Sequence, residues 1–440
     1  MKIFRNKSFI IFLSALIFCF QSLHFDARAQ KPLLQPKTFK FINGQWFDGK
    51  NFKPRTFYSE GGILTQNKPL KIDEVIDLAN GYVVPPFGDA HTHMLDGAFQ
   101  IKQQVDMYLR DGVFYAKVVT NTFTGASAAS SYVNNPTSVD AAYSHGGLTA
   151  DYSHPIEVYE ALALGFYNRN QQQENIDRIW ASRLRENDAY YIIDTADDLE
   201  SKWSSILEKR PDFIKVYLWH SEGYDERLKQ KGRTGGVDPQ LLPAIVSKAH
   251  AAGLRVTAAV NTAYDFHVAL LAGVDEMSHL PGYFFAENED IRIYEISLED
   301  AKLAKKLDVT ITITGSVYTA NVTPERARPI KVNQIRNLKL LKSQNVRLAI
   351  GSDNYGKTPY VEVAYLKNLG VFSNLELLKM WCEDTPKTIF PKRRIGRLKK
   401  GCEASFLVLD GNPLKDLEQT KKIRLRFKQG NFINISEKKS

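Results

Sequence analysis

The chain has 440 residues, of which 43% are hydrophobic and 24% are charged, and its formal net charge is +9. These proportions are typical of a folded globular protein and exclude a disordered, collagen-like or coiled-coil chain. Lysine and arginine are spread along the sequence, apart from Lys392-Arg393-Arg394 and the tail. The composition therefore predicts no nucleic-acid partner.

The first 29 residues have the layout of a secretory signal peptide. Three basic residues, Lys2, Arg5 and Lys7, precede the nearly unbroken apolar run from Phe9 to Phe20. Ala27-Arg28-Ala29 then offers small residues at the positions that a signal peptidase reads. The apolar run is shorter than the roughly 20 residues that span a bilayer. We therefore expect cleavage after Ala29 and a secreted or periplasmic protein of net charge +6, without stable membrane insertion.

Cleavage of the predicted signal peptide removes Cys19 and leaves two cysteines in the mature chain. These two, Cys382 and Cys402, are too few for a metal site made of thiolates. Their flanking sequences leave open whether they pair in an oxidising compartment.

The two ends of the mature chain read as short strands separated by turns. At the N-terminal end, residues 30–84, Asn43-Gly44 and Asp48-Gly49 each predict a turn after a strand. At the C-terminal end, residues 395–440, turn residues such as Asp410-Gly411 follow the strand candidate Ser405–Leu409. These two β-rich flanks predict one small β-sandwich domain formed by both termini.

The middle of the chain, residues 85–394, alternates apolar runs with amphipathic stretches. The predicted strands are Tyr82–Pro86, Gly112–Val119, Phe213–Leu218, Leu254–Val260, Glu276–His279, Val309–Thr314 and Val346–Gly351. The predicted helices are Ala98–Arg110, Pro239–Ala252, Phe266–Ala272, Leu298–Leu307 and Gln334–Ser343. Repeated strand–helix units predict an α/β fold, and its natural closed form is a (β/α)8 TIM-type barrel.

His91-Thr92-His93 follows a predicted strand directly. Residues two apart on a strand point to the same face, so both imidazoles can reach one ion. Three further polar residues, Lys215, His279 and Asp353, also fall near the carboxyl ends of predicted strands. Active sites of barrels form at that end. Taken singly, each residue has an ordinary structural explanation, but together they predict a metal site.

These features resemble the amidohydrolase superfamily, most closely its imidazolonepropionase-like and prolidase-like branch. The similarity spans the mature chain. Its markers are Gly81-Tyr-Val-Val-Pro-Pro-Phe-Gly-Asp-Ala-His-Thr-His, the Lys215 strand, Ala272-Gly-Val-Asp-Glu-Met-Ser-His, Gly351-Ser-Asp and Arg394-Ile-Gly-Arg-Leu-Lys-Lys-Gly-Cys-Glu-Ala-Ser-Phe-Leu-Val-Leu-Asp. The resemblance implies a metal-dependent hydrolase in which His91, His93 and Asp353 hold one divalent ion, expected to be zinc. It also implies that His279 helps to bind a second ion. As one alternative, it implies that Lys215 is carboxylated and bridges the two ions.

The sequence departs from this family at the end of the fifth barrel strand, where a further metal histidine is usual. Ala259 occupies the aligned position and cannot bind a metal. Asn261, two residues on and on the same strand face, is a weak replacement ligand. His250 and His267 are near in sequence but fall on predicted helices. One ion, a loosely held second ion and a catalytically impaired relative all remain open.

The predicted reaction is hydrolysis of an amide-like, cyclic amide or dipeptide carbon–nitrogen bond in a small molecule by metal-activated water. Asp353 is the predicted catalytic base and acid. The predicted substrate contacts are His145, His154, Tyr217 and His220. Two alternatives stay open: a lactone or phosphoester hydrolase, and a non-catalytic metal-binding relative. A homo-oligomer is also left open.

Overall fold

The structure is a computed structural model that describes residues 37–229, 235–285, 289–319 and 322–435. The predicted signal peptide and its cleavage site lie outside the described residues. Within those residues no helix is both long and apolar enough to cross a membrane. Cys382 and Cys402 are both buried and unpaired.

Each strand and helix predicted for the middle of the chain overlaps an element of the described residues, but the elements between residues 120 and 212 were not predicted. The strands are β1 (Phe39–Phe47), β2 (Phe52–Glu60), β3 (Ile63–Thr65), β4 (Glu74–Asp77), β5 (Tyr82–Val84), β6 (Phe87–Thr92), β7 (Val113–Val118), β8 (Asp140–Tyr143), β9 (Gly147–Thr149), β10 (Tyr190–Ile192), β11 (Phe213–Tyr217), β12 (Arg255–Ala259), β13 (Glu276–Ser278), β14 (Thr310–Ile313), β15 (Arg347–Ile350), β16 (Phe406–Leu409), β17 (Ile423–Lys428) and β18 (Asn431–Phe432). The α-helices are α1 (Ile101–Arg110), α2 (Phe123–Ala129), α3 (Ile156–Ala163), α4 (Arg169–Glu174), α5 (Ile176–Ala181), α6 (Ala196–Glu208), α7 (Tyr224–Lys229), α8 (Leu242–Ala251), α9 (Ala263–Ala272), α10 (Leu298–Lys306), α11 (Gly315–Thr319), α12 (Pro324–Ser343), α13 (Tyr360–Leu369), α14 (Asn374–Lys379) and α15 (Thr385–Ile389).

Eight parallel strands, β6–β8 and β11–β15, form the barrel that the sequence predicts. They lie in two sheets, β6-β7-β8 and β10-β9-β11-β12-β13-β14-β15. Backbone hydrogen bonds connect the two sheets at two places: Asp212 N, just before β11, donates to Tyr143 O (2.8 Å), and Asp353 N donates to His91 O (2.8 Å). The second of these bonds joins the first barrel strand to the loop after the last, where two of the predicted metal ligands lie.

Both termini contribute to one eight-stranded sheet, ordered β18-β17-β16-β5-β1-β2-β3 with β4 paired to β1. The two ends meet where β16 runs antiparallel to β5, with Val408 opposite Val83. Aromatic rings from both ends pack under this sheet, and Phe41 lies edge-on to Phe406 at 4.9 Å. The predicted terminal β-domain is therefore present, with strands and core residues from both ends of the chain.

The predicted turn at Asn43-Gly44 is wrong, since β1 continues through it to Phe47. The register against β2 shifts between Phe41 and Gly44, and Asn43 has a φ of 55°. The same residues that favour a hairpin turn here form a β-bulge, which also needs a left-handed residue. The sequence analysis also did not identify β8, because Asp140-Ala-Ala-Tyr has only four residues and two of them are alanines, which have little preference for strands.

A buried ion pair fills part of the barrel interior. Lys117 on β7 and Glu276 on β13 are 3% and 1% exposed, and their charged groups are in contact. Thr257 accepts a hydrogen bond from Lys117 Nζ (2.7 Å). Thr312 donates one to Glu276 Oε1 (2.6 Å). Burial lowers the pKa of Lys117, and the Glu276 carboxylate opposes that shift.

We predict that Glu276→Gln lowers the stability of the fold by about 3–5 kcal/mol, because removing one partner leaves the other charge buried without compensation. The measurement is the thermal unfolding midpoint by circular dichroism. Glu74→Gln is the control, because Glu74 pairs with Lys37 at the surface with side chains 43% and 67% exposed. Equal midpoints for the two variants would contradict the assigned role of the ion pair.

Candidate metal centre and its cavity

His91, His93 and Asp353 meet at the carboxyl end of the barrel. Asp353 Oδ1 lies 3.4 Å from His91 Nε2 and 3.1 Å from His93 Nε2. Their candidate ligand atoms lie within 4.8 Å of one another, and they are the one such cluster found among the described residues. Asp353 comes from the loop after β15, next to β6, so the seam between the first and last barrel strands brings the three together.

Two groups of this cluster have the charge states that a divalent ion requires, a neutral imidazole at His91 and an ionised carboxylate at Asp353. Burial lowers the pKa of His91 to about 4 against the attraction of Asp353. Burial also lowers the pKa of His279, well below its usual value. Burial would raise the pKa of Asp353, but attraction and hydrogen bonding from the histidines outweigh it and hold that pKa well below its usual range.

Two of the site residues have left-handed backbone conformations. His279 has a φ of 76° and Asp353 a φ of 46°. Such angles are unfavourable for residues other than glycine and persist only where the surroundings impose them. Here His279 N donates to Thr312 O (3.0 Å) and Asp353 N donates to His91 O (2.8 Å). Each side chain is thus directed by the neighbouring barrel strand.

His279 lies beside the cluster but outside it. Its Nδ1 is 3.9 Å from Asp353 Oδ2 and only 2.7 Å from Thr314 Oγ1. The ring of Tyr283 stacks on the His279 ring with centroids 3.9 Å apart. The Tyr283 hydroxyl donates a hydrogen bond of 2.5 Å to Asp353 Oδ2. The sequence analysis missed Tyr283, although it follows His279 by four residues in the same loop.

Lys215 points into the barrel from β11 and is 1% exposed. Its Nζ donates to Ser278 Oγ (2.9 Å). Burial lowers the pKa of Lys215 to about 7, and the positive charge of Lys117 adds to the shift. A neutral amine is the form that reacts with carbon dioxide, so the environment favours the carboxylation that the resemblance implies without requiring it.

The position aligned with the missing histidine faces the cavity, and it holds only the methyl group of Ala259. The amide of Asn261, the predicted replacement ligand, contacts Phe284 and His220. Its Oδ1 accepts from Phe284 N (2.8 Å), and its Nδ2 lies 3.0 Å from His220 Nε2. His250 and His267 are on α8 and α9, where each pairs with an aspartate, Asp275 and Asp300.

Asp89 holds the two ligand-bearing segments together, and the sequence analysis did not single it out. Its Oδ1 accepts from Ser352 N (2.9 Å) and His91 N (3.3 Å). Its Oδ2 accepts from Ser352 Oγ (2.7 Å) and Tyr108 OH (2.9 Å). Burial raises the pKa of Asp89 to about 6 against these four hydrogen bonds. The sequence signal that could have identified Asp89 is its position two residues before His91, on the same face of the strand.

The ligand cluster opens into a cavity of about 890 Å³. Three of the predicted substrate contacts, His154, Tyr217 and His220, line it. The fourth, His145, lies apart with its ring stacked on Tyr143 at 5.4 Å and its Nδ1 3.2 Å from Asn121 Nδ2. Much of the remaining wall is aromatic: Tyr152, Tyr159, Trp180, Trp219, Phe284 and Tyr355.

Residues 82–433 match a family model described as the amidohydrolase family. The chain belongs to this family. Comparison with curated proteins gives no significant match. The chain is similar to a solved Xaa-Pro dipeptidase with bound methionine, at 16% identity and a TM-score of 0.67, over 90% of this chain and 100% of that one. It is also similar to A. niger ochratoxinase, at 16% identity and a TM-score of 0.68, over 90% of this chain and 95% of that one. A third similar structure is phenylurea hydrolase B, at 15% identity and a TM-score of 0.64, over 90% of this chain and 97% of that one.

At these identities the likeness shows the fold, a TIM barrel with a sheet domain from both termini. It also confirms the predicted resemblance to prolidase-like members of the family. Amidohydrolases are hydrolases with a divalent metal. The donor set of this chain fits such an ion, because two imidazoles and one carboxylate converge at the cavity.

We predict that Asp89→Ala weakens metal binding by about 10- to 100-fold, the usual effect of removing a group that orients metal ligands. The loss follows because Ser352 and the His91 backbone are no longer held against each other. Isothermal titration with Zn²⁺ measures the change. Asp106→Ala, on the more exposed side of α1, is the control and should bind zinc as the parent does. Unchanged zinc affinity in Asp89→Ala would refute this role.

Proposed function

We propose that this protein is a metal-dependent hydrolase that cleaves amide-like carbon–nitrogen bonds in small molecules. The observation that carries the proposal is the convergence of His91, His93 and Asp353 at a large cavity, with a neutral imidazole at His91 and an ionised carboxylate at Asp353. Family membership supports hydrolysis, and the names of similar structures, a dipeptidase and a phenylurea hydrolase, support the bond type.

The three residues would hold the ion, for which zinc is our proposal because imidazole and carboxylate suit it. When bound, the ion supplies Lewis acidity, which makes water nucleophilic at neutral pH. Asp353 is ionised and faces the cavity, so it can accept a proton from the attacking water and pass it to the leaving nitrogen. His154 reaches the cavity wall with its Nδ1 bonded to Glu157 (2.7 Å) and can orient a polar group of the substrate.

The aromatic wall supports a substrate with an apolar or aromatic group next to the scissile bond. Rings such as Trp180 and Trp219 offer large flat surfaces that bury such a group. A cavity of about 890 Å³ is of the size of small-molecule sites and has room for such a group beside the scissile bond. We therefore propose N-acylated or ureido compounds with an aromatic substituent, together with dipeptides that carry one.

Ala259 favours a second candidate function, a metal-binding relative without turnover. The two proposals differ in outcome, because the relative binds metal and ligand but hydrolyses nothing. Export through the leader sequence is also our proposal, and the layout of residues 1–29 supports it.

We expect the purified, metal-loaded protein to hydrolyse aromatic amides or ureas in a panel that also contains dipeptides, lactones and phosphotriesters. Chelation should abolish the activity, and added Zn²⁺ should restore it. His91→Ala should lower kcat/KM by at least about 100-fold, because it removes a metal ligand. His250→Ala is the matched control, since that surface histidine pairs with Asp275 on the outer side of the barrel.

Turnover of lactones or phosphotriesters alone would reject the carbon–nitrogen specificity. Full metal loading without turnover of any substrate class would favour the binding relative. Chelator-resistant hydrolysis that survives His91→Ala would refute the metal mechanism.

A further inference from the structure

Thr120 combines a strained backbone with hydrogen bonds to two tyrosines of the cavity wall. It follows β7, is fully buried and has a φ of 106°, which is unfavourable for a β-branched residue. Its Oγ1 lies 2.6 Å from the hydroxyl oxygen of Tyr217, and its carbonyl oxygen accepts a hydrogen bond from the Tyr159 hydroxyl (2.6 Å). Its backbone nitrogen donates to Ser144 Oγ (2.9 Å). Such strain persists only where the surroundings impose it, and it is concentrated at functional sites.

The ring of Tyr217 packs against the backbone of β9, and the residue also lines the cavity. A Cβ at Gly147 would lie 2.6 Å from Tyr217 Cε2, so the absence of a side chain there lets the ring approach the strand. The ring of His154 lies edge-on to it with centroids 5.1 Å apart, and Lys215 Nζ is 5.2 Å from its centroid. The bond to Thr120 fixes the hydroxyl end of this ring and so holds it back from the space that a ligand would occupy.

We propose that Thr120 is a positioning residue for substrate specificity. By bonding to the hydroxyls of Tyr217 and Tyr159, it fixes both rings in the cavity wall, where they bind the apolar or aromatic group of the substrate. Thr120 is itself fully buried and therefore acts through the two tyrosines. A ring that is already fixed loses less conformational entropy when a ligand binds to it. This inference rests on the proposed function, because it takes the apolar group of the substrate to bind in this cavity.

The test measures the dissociation constants of phenylacetone and butanone for the metal-loaded protein by ligand-detected nuclear magnetic resonance titration. In these ketones a CH₂ group replaces the nitrogen of an N-phenyl or N-methyl amide, so neither can be hydrolysed. We expect the parent to bind phenylacetone more tightly than butanone. Thr120→Val and Tyr217→Phe should each weaken phenylacetone binding about 3- to 10-fold, the loss of roughly one aromatic contact, and leave butanone binding unchanged.

The double variant, Thr120→Val with Tyr217→Phe, should bind phenylacetone no more weakly than either single variant, because both substitutions remove the same hydrogen bond. Thr120→Ser keeps the hydroxyl and should bind as the parent does. Thr388→Val is the matched control, because Thr388 is also buried but lies on α15 outside the cavity wall, where its hydroxyl donates to Asp384 O (2.8 Å). It should leave phenylacetone binding unchanged, and thermal melts check that every variant folds.

Unchanged phenylacetone affinity in Thr120→Val or Tyr217→Phe, or additive losses in the double variant, would overturn the role of Thr120. Equal binding of the two ketones by the parent would overturn it as well. The hydrolase function is decided separately by turnover. If the parent binds phenylacetone but hydrolyses no compound of the panel, the hydrolase function is refuted, and the affinity series still decides the role of Thr120.

Discussion

The structure depends most on the seam between the first and last barrel strands. At this seam Asp89 accepts hydrogen bonds from Ser352 and from the backbone of His91. Next to it, Asp353 N donates to His91 O. These bonds join the edges of two sheets and at the same time set the distance between the metal ligands. The fold and the site therefore share one set of contacts, and a defect in either affects the other.

Buried charge in the barrel is tolerated because each group has a partner. Lys117 contacts Glu276 and Thr257, and its ammonium lies 4.1 Å from the centroid of the Phe213 ring. Lys215 Nζ donates to the hydroxyl of Ser278. Burial lowers the pKa of Lys215, which lines the cavity, to about 7. The amine of Lys117 instead contacts the Glu276 carboxylate.

Several residues around the candidate metal ligands have defined places in the cavity wall. Ala259 lines the cavity where the resemblance leads us to expect a histidine, and the Tyr283 hydroxyl donates a hydrogen bond to Asp353 Oδ2. Asn261 is not a substitute ligand, because its amide supports the loop that carries Phe284 and the ring of His220.

The sequence by itself determined the barrel, the terminal β-domain and the residues most suited to bind metal. Alternation of apolar runs sets strand and helix, and a ligand that follows a parallel strand must lie at the carboxyl end of the barrel. Only the tertiary structure decided that Asp89 joins two ligand-bearing segments 263 residues apart, that Tyr283 reaches Asp353, and that His145 lies away from the cavity. Loop residues carry no periodicity, and their directions depend on contacts between segments that are distant in sequence.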